Sequence, residues 1–70
     1  MQKLKKRILS IISKNMGFAE YLENSSKEQE YLIELASKAF SPEDYISISA
    51  KVIGLMQIED WIIEEINEKL

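Results

Sequence analysis

The sequence predicts an all-α fold, in which an antiparallel helical hairpin turning at residues 40–42 is preceded by a basic amphipathic helix. Three observations predict it. Apolar residues recur at three- and four-residue intervals through most of the chain, the spacing that gathers them on one side of a helix. The stretch Phe40, Ser41, Pro42 leaves room only for a tight turn between two such segments, and helices joined so closely pack antiparallel. From Ser41 to Leu70 the helical pattern then runs without a stop signal. The expected helices are 3–23, 26–40 and 42–69, within a single small domain, 1–70.

The first segment, from Lys3 to Glu23, places Leu4, Ile8, Ile11, Ile12, Phe18, Ala19 and Leu22 on one side, with lysines and serines opposite. Gly17 lies inside it, at about 1 kcal/mol less favourable than alanine in a helix interior, which makes Asn15 to Gly17 the place where a kink or an early end would fall. A basic amphipathic helix can lie on an anionic membrane surface; the preferred reading is a core helix with a solvated basic face.

Asn24, Ser25 and Ser26 form the internal break, and Ser25 with Glu28 or Ser26 with Gln29 matches a capping box. The helix that follows carries Tyr31, Leu32, Leu35, Ala36, Ala39 and Phe40, and ends where Pro42 disfavours helix in the residue before it. In the third segment Ser41 can accept a hydrogen bond from a first-turn amide, Pro42 suits the first helical position, and Glu43 and Asp44 suit the positive dipole end. Two apolar rows run along this helix. The main stripe is Tyr45, Ile48, Val52, Leu55, Met56, Ile62, Ile63, Ile66 and Leu70. The second row is Ile46, Ala50, Ile53, Gln57 and Trp61, which we take as the candidate partner-binding residues.

Composition limits what such a chain can do. At 70 residues it buries only about 60% of its unfolded surface, and small domains of this kind need disulfides, a metal, oligomerisation or a partner. With no cysteine and no histidine, disulfides are absent and structural zinc lacks its ordinary ligands. The lack of cysteine is consistent with a reducing cytoplasm, the expected location. The net charge of -3 conceals an asymmetry: Lys3, Lys5, Lys6, Arg7 and Lys14 open the chain without an acid, and every acidic residue follows. The basic start ahead of Ile8, Leu9, Ile11 and Ile12 resembles a signal peptide, but Ser10, Ser13 and Lys14 interrupt the run and no small-residue cleavage pattern follows. No stretch approaches the roughly twenty apolar residues that span a bilayer. A basic helix start and an acidic helix end are each the wrong sign for their own dipoles, so Lys14 and its neighbours are expected near Glu64, Glu65 and Glu68.

No catalytic pattern, glycine-rich phosphate loop or calcium loop occurs, and the chain is expected to be no enzyme, with no cofactor and no metal. Asp60, Glu64 and Glu68, spaced four apart, read as a solvated acidic face. Glu59 falls within the main stripe, where it requires a rim position or a basic partner. Trp61 has two readings: a protruding anchor for a partner, or a core residue over which the first helix folds.

Leu35, Ala36, Phe40, Ser41, Tyr45 and Ile48 loosely match a helix-turn-helix, so a small nucleic-acid-binding regulator is the alternative function. Phe40 stands where glycine is usual, and Glu43 and Asp44 would meet phosphate, which disfavours nucleic acid as a partner.

Ser41, Pro42, Glu43, Asp44, Tyr45 and the later run Leu55, Gln57, Glu59, Asp60, Ile62 resemble the small YscE-type co-chaperones of type III secretion, whose second helix also opens with a proline, two polar residues and a tyrosine. The resemblance covers residues 35–66. It implies a cytoplasmic helical hairpin without an active site that binds a larger helical-repeat chaperone, the pair keeping a secreted needle subunit from polymerising early. The function expected is therefore a non-enzymatic protein–protein interaction module, a small adaptor or co-chaperone, self-associating as an oligomer when its partner is absent.

Overall fold

The structure is a computed structural model that describes residues 2–70. It contains three α-helices and, among the described residues, no strand: α1, Gln2–Asn15; α2, Phe18–Ser37; and α3, Pro42–Lys69. None is long and apolar enough to cross a membrane.

The division between the first two helices falls at Gly17 and not at Asn24–Ser26. The amides of Met16 and Gly17 both donate to the carbonyl of Ile12, at 3.0 and 2.9 Å, and the Asn15 side chain donates to the Ile11 carbonyl at 2.8 Å. These bonds satisfy the carbonyls of Ile11 and Ile12 at the end of α1. Gly17 then takes φ 83 and ψ 158, a conformation that residues with a Cβ avoid, and the Tyr21 amide donates to its carbonyl at 3.2 Å to start α2.

α2 continues through the serines for a physical reason. Ser25 is only 3% exposed, and its hydroxyl accepts from Gln29 Nε2 at 3.2 Å. A capping box there would have started a new helix; the continuous helix instead keeps Phe18, Tyr21 and Leu22 packed against the core. α2 also stops before Phe40. The amides of Lys38 and Ala39 turn back to Leu35 and Ala36 at 3.0 and 3.1 Å, and the Ser37 hydroxyl donates to the Glu34 carbonyl at 2.6 Å. Ala39 and Phe40 therefore belong to the connection. At the start of α3 the Ser41 hydroxyl accepts from the Asp44 amide at 3.1 Å, the backbone of Ser41 is extended, and Pro42 follows as the first helical residue.

The buried apolar side chains are few: Leu9, Ile12, Leu32 and Ile62, of which Ile62 alone has no exposure. Leu9, Ile12 and Ile62 form one cluster, flanked by Ile8, Phe18, Tyr21, Leu22, Ile58 and Trp61. The beginning of α2 thus lies beside the later half of α3, with α1 against both. At the other end Ile33, Ala36 and Ser37 of α2 share a groove with Tyr45, Ser49, Val52 and Ile53 of α3.

Candidate protein-docking face

The candidate surface is built by helical periodicity on α3. Taking 100° per residue, Ile48, Leu55, Ile58 and Ile62 point the same way, and all four are buried fully or in part. Tyr45, Ser49 and Val52 project to one side of that line, Gln57 and Trp61 to the other, and Ile53 points almost directly away from it. The main stripe read from sequence is consequently divided. Its Ile48, Val52 and Leu55 are half-buried, while Tyr45, Met56, Ile63, Ile66 and Leu70 remain exposed.

The second row is divided as well. Ile46 and Ile53 are 66% and 65% exposed, and Ala50 and Gln57 are also exposed. Trp61 differs, being half-buried and packed on the cluster of Leu9, Ile12 and Ile62. Of its two sequence readings, the one in which the first helix folds over it describes its place. Gln57 and Trp61 line a shallow depression with Gln2 and Lys5 of α1, so α1 occupies this side of α3.

Apolar packing of Leu9 and Ile12 on Ile62 seats α1 there, and one ion pair accompanies it. Lys5 Nζ donates to Glu64 Oε2 at 2.8 Å, and the Lys5 ammonium is held above its ordinary value, first by that hydrogen bond and then by the negative field of Glu64, Glu68 and Glu65, against some opposing desolvation. The cation that meets the acidic end is therefore Lys5. Lys14, the residue expected there, sits in the last turn of α1, and because the chain breaks at Gly17, α1 is not an extension of α2. The remaining ion pairs among the described residues, Lys27–Glu23, Lys38–Glu34 and Lys69–Glu65, are exposed contacts within single helices. Glu59 is half-buried and makes none of these pairs. It lies close enough to Tyr21 to raise its phenol, an effect in which burial of the ring comes first and the Glu59 charge second.

The groove between α2 and α3 has a volume of about 300 Å³ and an apolar lining to which only the side chains of Ser37, Ser49 and Tyr45 bring a hydroxyl. Ile33 on its α2 wall is exposed, as are Tyr45 and Ile53 opposite, and Phe40 in the adjoining turn stands wholly in solvent at 102%. Sequence periodicity could not have found this groove, because it depends on how the two helices approach. A missed clue was the charge spacing: between Tyr45 and Ile58 the only charged residue is Lys51. Among the described residues no three potential ligands converge on a metal position. Comparison with protein-family models, curated proteins and solved structures finds no match to this chain.

Proposed function

We propose that the protein is a non-enzymatic interaction module, an adaptor or co-chaperone whose antiparallel α2–α3 hairpin offers the first half of α3 to a helical partner. The observation that carries this reading is the exposure of Ile33, Tyr45 and Ile53 on one apolar groove, with Phe40 in the turn and Ile46 on α3 exposed as well. Exposed apolar surface in a contiguous patch marks interaction sites, whereas scattered apolar residues do not. An amphipathic helix laid in such a groove would bury anchors at three- and four-residue spacing.

The likeness of Ser41–Tyr45 and Leu55–Ile62 to YscE-type co-chaperones supports a cytoplasmic partner of helical-repeat type in type III secretion. A nucleic-acid role is disfavoured by the exposed Glu43 and Asp44 at the opening of α3. The test is to purify the protein with its native associates, comparing the wild-type chain with an Ile46→Asp, Ile53→Asp double variant. The reading expects an associated protein that is retained by the wild type and lost by the variant while helicity is unchanged. Identical associates for both, or none for either, would refute it.

A further inference from the structure

We infer that a second copy of this chain covers the groove, forming a two-fold symmetric dimer through the turn-proximal half of α2 and α3. The inference rests on the reading that this face binds protein, and it names an occupant.

The first argument is area. The chain exposes 5555 Å². A compact monomer of 8.1 kDa exposes about 4,500 Å² by the scaling of surface with mass. The excess, about 1,000 Å², is what one partner gives up in an interface of standard size, about 800 Å² a side, or slightly more. Part of it is the elongated 43 × 24 × 20 Å shape, and lateral pairing of two such rods is the arrangement that removes surface of that kind.

The second argument is shape. The hollow lined by Ile33, Ala36, Val52 and Ile53 reaches Ser37 on α2, and three residues further on, in the turn, the side chain of Phe40 is fully exposed. A two-fold axis between hollow and projection sets each copy's projection against the other's hollow. That is the self-complementarity an isologous interface requires.

The third argument is charge. No residue lining the hollow is ionised, and Lys51 is the only ionised side chain from Tyr45 to Ile58, so two copies can bring these linings together without burying like charges. The exposed Glu34, Lys38, Glu43 and Asp44 fall outside the lining. A strongly basic or acidic partner would find no counter-charge in the groove. The acidic end of α3, around Glu64, is already engaged by Lys5 of α1.

The experiment is sedimentation equilibrium of the full chain from micromolar to several hundred micromolar. The wild type should approach twice 8.1 kDa. Ile53→Asp should raise the dissociation constant at least about thirty-fold, as loss of a central apolar anchor does, with helicity by circular dichroism unchanged because Ile53 is exposed. Phe40→Ser reads the same interface without altering a helical residue, and Ile11→Asp on the exposed side of α1 should leave the dimer intact. A wild-type chain that stays monomeric throughout overturns the dimer, and leaves the hetero-partner reading to its own capture test. A dimer indifferent to both Ile53→Asp and Phe40→Ser, one abolished by Ile11→Asp, or an oligomer larger than two, overturns it equally.

Discussion

Replacing the two glycines with alanine, one at a time, should move stability in opposite directions. Gly17 holds φ 83 and ψ 158, and a Cβ built there meets no atom within 4 Å. Any penalty is therefore one of backbone strain, about 1–3 kcal/mol for such a conformation. Reduced freedom of the unfolded chain offsets about 0.4–1 kcal/mol of it, leaving a net loss of about 0.5–2 kcal/mol. Gly54 lies inside α3 with equally open surroundings, and alanine there gains about 0.8–1 kcal/mol in helix propensity. The two variants should thus differ by about 1.5–3 kcal/mol. With a urea dependence of about 1 kcal/mol per molar for so small a chain, their unfolding midpoints should lie about 1.5–3 M apart. Helicity at 222 nm against urea measures this, at one fixed protein concentration because association adds to apparent stability. If Gly17→Ala proves as stable as the wild type, α1 and α2 are one continuous helix and the placement of the hinge at Gly17 is wrong.

Other outcomes follow from the core and from its charges. Ile62→Ala, at the one side chain with no exposure, should destabilise by about 2–5 kcal/mol in the same urea titration. Trp61→Asp should lose cooperative unfolding, since the indole packs beside Ile58 and Ile62, whereas Ile46→Asp should change monomer stability by no more than about 0.5 kcal/mol; the reverse order would place the core on the other side of α3. Stability should fall on the alkaline side. The Lys5 value is raised above 10.5 by Glu64, so its contribution is complete below 10.5 and disappears as pH climbs through the folded value. The Tyr21 phenol is raised above 10.0, so beyond pH 10.0 the unfolded chain releases a proton that the folded chain retains, again favouring unfolding. Thermal melts from pH 8 to 11 check this; a rise in melting temperature above pH 10 would contradict both assignments, and Tyr21→Phe should remove the tyrosine part.

How much of this could be read from the residues differs element by element. The opening of α3 was readable because its signals are local: Ser41, Pro42 and Asp44 lie within one turn and act through a single side-chain hydrogen bond. The Asn24–Ser26 break was misread because a capping box is also local, and burial overrode it. Ser25 can bond Gln29 inside a helix as well as cap one, and only tertiary packing decides between them. The propensity cost of Gly17 marks Asn15 to Gly17 as a place for a kink or an early end, and α1 does end at Asn15; what sequence does not display is the positive φ through which Gly17 makes the break. The lysine that meets Glu64 depended on the direction α1 takes after Gly17, so Lys5 could not be distinguished from Lys14 by periodicity. The groove depends on two helices at once, and the row containing Ile53 and Trp61 could be drawn on a wheel but not divided into covered and bare halves.

What divides it is length acting together with charge. α1 has 14 residues and α3 has 28, about 21 Å against about 42 Å at 1.5 Å per residue, so α1 can cover only about half of its neighbour. Which half it covers is biased by its cations. Lys5 reaches Glu64, with Glu65 and Glu68 adding to the field it feels, while the half from Tyr45 to Ile58 offers no carboxylate before Glu59. Exposed pairs of this kind contribute little to stability, but a small difference is enough to choose between two otherwise similar apolar seats. The basic helix is drawn to the acidic end, Trp61 is covered there, and the neutral half is left bare. The same charge asymmetry that biases the seat of α1 thereby leaves the first half of α3 without α1 over it, which is the half that the proposed docking face uses.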